Sequence, residues 1–229
     1  MKAALIIPAL NEESAIGDVL NEIPAGRFEQ VIVADNGSTD RTSKVAASHG
    51  AVVVAEPRRG YGNACLRALT QLPEGTEIVA FMDGDGSDVA AELGTLLEPI
   101  EDGRADLVLG SRELGEAERG AVNVHQRLGN LLATFLIRLL FGHRYSDLGP
   151  FRAIRVSSLK TLNMRDRNYG WTIEMQIKAL RARLRILEVP VSYRQRRAGV
   201  SKVSGNAWGS FAAGVKILWT IARLSLASR

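Results

Sequence analysis

Short unbroken apolar runs alternate, along the first half of the chain, with segments whose apolar residues recur at helical spacing. The runs are Ala3–Ile7, Val31–Ala34, Ala51–Ala55, Ile78–Met82 and Asp106–Leu109. Apart from Asp106 at the start of the last, each is apolar at successive positions, the pattern of a strand covered on both faces. Between them the spacing predicts a helix capped by Asn11 with Glu12 and Glu13 in its first turn. Three more follow: from Asp40 to about Ser48, over Asn63–Leu72 and over Ala90–Ile100. This alternation predicts an α/β fold, a Rossmann-like, mostly parallel sheet with helices on both faces. After Arg112 the pattern changes. A polar loop over Ala117–Val124 precedes a helix over His125–Phe141, in which Leu128, Leu131, Leu132, Phe135, Leu139 and Leu140 keep helical spacing. A strand is expected over Phe151–Val156, a helix over Trp171–Ala182 and a strand over Arg185–Tyr193. A basic loop, Gln195–Gly205, leads to a last helix with Trp208, Phe211, Val215, Leu218, Trp219 and Ala222 on one face. There is no internal repeat and no flexible linker, so one fused domain is expected.

Composition adds exclusions and one asymmetry. The chain has 229 residues, 46% hydrophobic and 24% charged, which excludes disorder and low-complexity architectures. The single cysteine, Cys65, excludes an intrachain disulfide and reads as a small core residue. His49, His125 and His143 have no metal-ligand spacing. The apolar N-terminus is short and lacks a cleavage site, so no signal peptide is read. Arg138 interrupts one apolar helix, and Lys216 and Arg223 the other, so neither reads as a membrane span. The expected location is cytoplasmic, with peripheral contact at the membrane face through these two amphipathic helices. Residues 1–114 carry 9 Lys/Arg against 19 Asp/Glu, a net of −10. Residues 115–229 carry 20 against 6, a net of +14. No aromatic interleaving or known motif turns that basic half into a nucleic-acid binder.

Polar clusters sit at the ends of the predicted strands, where open α/β sheets bind ligands. They are Pro8-Ala-Leu-Asn-Glu12, Asp35-Asn-Gly-Ser38, Asp83-Gly-Asp85 and Gly110-Ser-Arg112. Any one could be turn chemistry; four at one sheet edge point to a site. Asp83 and Asp85, one residue apart, suit one hard cation such as Mg²⁺. An EF-hand fails, because its sixth position is Asp88 and its twelfth Gly94. A dinucleotide fingerprint fails as well: residues 8–13 hold no glycine, and Gly60-Tyr-Gly62 lacks the third.

These motifs, with Asp35-Asn-Gly-Ser-Thr-Asp40, resemble those of inverting family 2 glycosyltransferases of the GT-A fold, whose sheet is mixed and mostly parallel. Ser146-Asp-Leu-Gly-Pro-Phe-Arg152, Glu188-Val-Pro-Val-Ser-Tyr193 and Gly199-Val-Ser-Lys202 are similar to the branch that makes dolichyl- or polyprenyl-phosphate sugars. The resemblance implies a nucleotide-sugar half at 1–114, an acceptor half at 115–205 and an amphipathic helix at 206–229. It implies that Pro8, Ala9, Asn11, Glu12, Asp35, Asn36, Gly37, Ser38, Gly62, Asp83 and Gly84 surround the nucleotide. It implies that Asp83 and Asp85 hold Mg²⁺ or Mn²⁺ on the diphosphate. Arg112 would meet phosphate, and Arg127, Arg152, Trp171, Ser201 and Lys202 would serve the acceptor. The chain departs from the branch at Ser87, where some members have Gln, and at Pro150, where they have Gly.

A polyprenyl-phosphate acceptor, already anionic, needs no strong base; a hydroxyl acceptor needs a carboxylate. Glu174 and Asp147 are the candidates for that base. Each also has a plainer reading: Glu174 as a first-turn helix acid and Asp147 as a partner for Arg152. A nucleotide-sugar-binding protein without turnover is the remaining alternative.

Overall fold

The computed structural model describes residues 1–122, 124–196 and 207–226, with side chains of the last helix described from 214 onward. The strands are β1 (Ala3–Ala9), β2 (Gln30–Asp35), β3 (Val52–Ala55), β4 (Ile78–Phe81), β5 (Leu107–Ser111), β6 (Arg152–Arg155) and β7 (Ile186–Pro190). The helices are α1 (Ile16–Glu22), α2 (Thr42–Ser48), α3 (Tyr61–Leu69), α4 (Leu93–Glu101), α5 (Val124–Phe141), α6 (Val156–Leu162), α7 (Trp171–Arg181) and α8 (Ala207–Leu226). One seven-stranded sheet has the order β3-β2-β1-β4-β6-β5-β7. Pairings are parallel except where β6 lies antiparallel between β4 and β5. In register, Leu5 faces Val31 on one side and Ala80 on the other.

Successive strand residues point to opposite faces, so each continuous apolar run feeds two cores. Ile6, Ile32, Val79, Phe81, Leu107 and Ile154 pack under α3, α5, α7 and α8. Leu5, Ile7, Val33, Ala80, Met82 and Val108 pack under α1, α2 and α4. Cys65 is a buried free thiol in the first of these cores.

Three expectations are corrected. Asn11 does not cap a helix: its φ is +53°, it belongs to a turn, and α1 starts at Ile16. The chain after β6 forms α6, which the reading lacked, because Val156 opens a helix instead of ending a strand. The last strand stops at Pro190, and Tyr193 beyond it makes isolated bridges to Asp88 and Ala117.

Candidate active site

The loops after β1 and β2 are stitched together. Asn11 accepts the Thr39 N–H on Oδ1 at 2.8 Å and donates its own N–H to Ser38 Oγ at 2.9 Å. Glu12 donates its N–H to Thr42 Oγ1 at 2.8 Å. Asp35 accepts the Ser38 N–H at 2.7 Å and the Ser43 hydroxyl. Pro8 and Ala9, the last residues of β1, lie in register with Ala34 and Asp35. Gly37 supplies the left-handed turn (φ +79°) that returns the chain toward α2. Two expected nucleotide contacts are engaged inward. The Asn36 amide donates to the carbonyls of Glu56 and Arg58 and accepts the Gly60 N–H. Gly62 lets α3 press on the neighbouring loop: a Cβ there would stand 2.1 Å from the Asp166 carbonyl oxygen.

The turn after β4 gathers carboxylates. The Asp83 N–H donates to Asp88 Oδ2 at 3.0 Å, and the Ser87 N–H to Asp85 Oδ1 at 2.9 Å. Gly84 is buried against Ile7 and Ile16. Burial, then the charges of Asp85 and Asp88, push the Asp83 carboxyl well above its ordinary range. Burial, with Asp85 adding to it, lifts Asp88 to about 7. Hard oxygen donors crowded this way suit a divalent cation that takes its remaining ligands from phosphate and water. Among the described residues no His, Cys, Asp or Glu completes a three-ligand metal cluster. Arg196, from the segment after β7, bridges Glu12 Oε1 (2.9 Å) and Asp85 Oδ2 (2.7 Å). Sequence reading took it for part of a basic run.

On the other side of the sheet edge, Arg112 and Asp147 form a buried pair. Asp147 Oδ2 accepts from the Arg112 N–H (3.0 Å) and Nε (2.7 Å), and Oδ1 from Nη2 (2.7 Å) and the Leu148 N–H (2.7 Å). Burial alone would raise Asp147; Arg112 overrides it and holds the carboxyl below its ordinary range. The Arg112 guanidinium lies 5.0 Å from the centre of the Tyr193 ring. The partner of Asp147 is thus Arg112, not Arg152.

Arg152 and Trp171, expected at the acceptor, are core residues instead. Arg152 is 1% exposed and donates to the carbonyls of Thr172 and Gly149 and to Gln176 Oε1. Burial pulls its guanidinium down to about 10. Trp171 packs edge-on against Phe81 at 6.3 Å. Glu174 is buried too: Oε2 accepts the N–H groups of Arg165 (2.9 Å) and Asp166 (2.6 Å), and Oε1 pairs with Lys178 at 2.8 Å. Its geometry is that of a loop anchor, while Asp147 takes two bonds from the Arg112 guanidinium and two from backbone N–H groups; both carboxylates are engaged by these partners. Ser201 and Lys202 lie outside the described residues.

Arg127 lines an open cavity of about 530 Å³ between α5 and the chain around Glu113 and Ser146. Leu114, Leu131 and Phe135 are its apolar wall; Arg138 and Arg144 accompany Arg127. Arg138 and Arg144 were not singled out by the sequence motifs. The cavity adjoins the Arg112–Asp147 pair through Glu113 and Ser146. Asn130 fixes α5 to that loop, donating to the Ser146 carbonyl and accepting the Leu148 N–H. Outside the cavity, α5 turns further large side chains to solvent: Leu128 is 58% and Leu139 68% exposed. Its buried residues are Ala133, Thr134 and Ile137. On α8, which packs against α5, Trp219 is 61% exposed. Among the described residues no helix is long and apolar enough to cross a membrane.

The sequence profile of glycosyl transferase family 2 matches residues 4–162. An uncharacterized glycosyltransferase of Mycobacterium tuberculosis is 39% identical over 213 residues, covering 91% of this chain and 93% of the relative. An undecaprenyl-phosphate mannosyltransferase of Micrococcus luteus is 28% identical over 221 residues, covering 91% and 90%. Among solved structures, glucosyl-3-phosphoglycerate synthase of Mycobacterium tuberculosis, in complex with Mn²⁺, UDP-glucose and phosphoglyceric acid, superposes with a TM-score of 0.79 at 25% identity. That match covers 100% of this chain and 81% of the synthase.

Proposed function

The chain belongs to glycosyl transferase family 2, and from that premise we propose that it moves a hexose from a nucleoside diphosphate sugar to a polyprenyl phosphate. The observation that carries the acceptor assignment is the arginine-rimmed, apolar-walled cavity beside Arg112 and Asp147. Arg127, Arg138 and Arg144 suit a phosphate headgroup, and Leu114, Leu131 and Phe135 suit the start of its isoprenoid chain. The exposed apolar residues of α5 and α8 support a peripheral contact with the membrane face. The relative from Micrococcus luteus, named for an undecaprenyl-phosphate acceptor, supports the same reading.

On the donor side, the stitched loop of Pro8, Ala9, Asn11 and Glu12 with Asp35, Gly37 and Ser38 forms the nucleoside pocket. Asp83 and Asp85 would hold Mg²⁺ or Mn²⁺, as the Mn²⁺ and UDP-glucose of the matched synthase suggest. When bound, such a cation stabilises the negative charge of the departing diphosphate. The protein orients the donor against the acceptor cavity and keeps the cationic Arg112 beside the reacting phosphates, locked by Asp147. With Asp147 and Glu174 both committed to other partners, an acceptor that arrives ionised is favoured over a neutral hydroxyl.

A second reading has an observation behind it. The synthase structure holds phosphoglyceric acid, and three arginines would also seat a small phosphorylated acceptor. Incubation with labelled UDP-glucose or GDP-mannose, Mn²⁺ and either polyprenyl phosphate or 3-phosphoglycerate separates the two. Label extracted into organic solvent supports the lipid acceptor. Label retained only in the aqueous product of 3-phosphoglycerate replaces it with the second reading.

A further inference from the structure

The guanidinium of Arg196 lies between two carboxylates carried by different strands: Glu12 after β1 and Asp85 after β4. Its side chain is only 22% exposed, so the double bridge is poorly screened by solvent. The approach to it is fixed. The Arg194 N–H donates to the Ser87 carbonyl at 2.9 Å, and the Arg194 side chain pairs with Glu22 at 2.9 Å. Gln195 donates its N–H to Glu118 and its side chain to the Arg119 carbonyl. Arg196 is thus delivered into the site by a stem clamped on both sides.

Both oxygens of Asp85 already have a partner in this state. Oδ1 takes the Ser87 N–H and Oδ2 the guanidinium. We propose that Arg196 is the resident counter-cation of the unloaded donor site, which must release Asp85 before a divalent ion is held there and which passes to the diphosphate when the nucleotide arrives. The proposal deepens the donor reading above and rests on it.

The charge logic is direct. A divalent ion on Asp85 and a guanidinium on the same carboxylate repel each other within a few ångströms. A nucleoside diphosphate brings new anionic oxygens, which suit the fork of an arginine as well as a carboxylate does. Exchange of Arg196 from carboxylate to phosphate removes the repulsion and leaves Asp85 with the ion and Arg196 with the diphosphate. Metal and nucleotide then bind cooperatively, and reciprocity requires each to strengthen the other equally. The enzyme therefore avoids holding metal in the absence of donor.

The test is a Mn²⁺ titration followed by the electron paramagnetic resonance signal of the free ion, with and without UDP or GDP. Wild type is expected to bind Mn²⁺ weakly alone and about tenfold or more tighter with the nucleotide. Arg196→Gln is expected to bind Mn²⁺ alone about tenfold tighter than wild type, with the nucleotide adding correspondingly less than it adds to wild type. Arg196→Lys keeps the charge and stays within about threefold of wild type, which separates the effect of charge from that of a disturbed loop. Asp85→Asn abolishes binding in either background. The role of Arg196 is overturned if nucleotide-dependent, Asp85-dependent Mn²⁺ binding is found and Arg196→Gln binds the ion alone no tighter than wild type. If no variant binds Mn²⁺ even with nucleotide, the metal reading of Asp85 falls, and the role of Arg196 with it.

Discussion

Asp85 and Arg138 stand under opposite conditions. Asp85 lies in a half with a net charge of −10, is buried, and has a partner on each oxygen. Arg138 lies in a half with a net charge of +14, on the exposed side of a helix whose neighbouring leucines face solvent. On the donor side, loops from β1, β2 and β4 satisfy one another before any ligand arrives. On the acceptor side, α5 buries Ala133, Thr134 and Ile137 and leaves Leu128, Leu132 and Leu139 exposed. A rigid, self-satisfied acidic region suits a ligand that comes with its own cation, since carboxylates alone would repel a diphosphate. A basic region with an apolar exterior suits a ligand that is part of a larger apolar phase. The difference between the halves is one of completeness: one needs an ion and a nucleotide, the other needs a surface.

The strongest way to break this comparison is at Asp85. Asp85→Asn keeps size and hydrogen-bonding shape but removes the charge. If the acidic half works through a cation, turnover of the nucleotide sugar falls by about 10³-fold, the scale of several kcal/mol of lost transition-state stabilisation. The thermal midpoint moves little by comparison. Nucleotide release measured at saturating Mn²⁺ checks this. A loss below about tenfold would mean that the acidic cluster is not where the leaving group is stabilised.

Much of the donor side was legible in the sequence for a physical reason. Strands buried on both faces must be apolar throughout, so the first polar residues after each run mark the sheet edge where a ligand fits. That logic placed Asp35, Asp83, Asp85 and Arg112 at one edge. It is blind to strand direction, because the residue pattern of a short strand reads the same either way; only the pairing with β4 and β5 shows β6 to be antiparallel. The resemblance, not that logic, put Arg152 at the acceptor; its partners in register are Phe81 and Leu109, and its buried guanidinium donates to the carbonyls of Thr172 and Gly149. Trp171, which the resemblance assigned to the acceptor, is turned by α7 onto Phe81. Arg196 was one basic residue among several, since its partner Glu12 lies 184 positions away. Contacts of that range exist only once the sheet has ordered its edges.

A middle-sized effect sharpens the other half of the comparison. Replacing Leu131, Leu139 and Trp219 by Ser removes three exposed apolar side chains. The fold should tolerate this, with a thermal midpoint within about 3 °C of wild type, because surface changes usually stay within about 0.5 kcal/mol each. Co-sedimentation with anionic phospholipid vesicles should fall by about 10- to 100-fold, since each of the three side chains gains at the interface only a part of the about 1.5–3 kcal/mol of full burial. Unchanged sedimentation would assign this face to something other than a lipid surface.

The smallest effect tests whether the halves differ in sign as well as in charge. Asp88, lifted to about 7, keeps its proton in the native protein at pH values where the unfolded chain has already released it. Its stabilising contribution is full below the ordinary carboxylate range and is lost as pH rises through about 7. Asp147, held low by Arg112, does the reverse: its contribution is full above the ordinary range and is lost as pH falls through its depressed value. In metal-free buffer containing chelator, raising the pH from 5 to 8 should therefore cost wild type about 1–2 kcal/mol relative to Asp88→Asn, a few degrees in thermal midpoint. Asp147→Asn should show no such alkaline divergence, and its deficit against wild type should instead shrink on acidification below about pH 4. Parallel melting curves for wild type and Asp88→Asn across pH 5–8 would mean that the acidic half is already relaxed without a cation. The pressure to bind one would then have to come from the diphosphate alone.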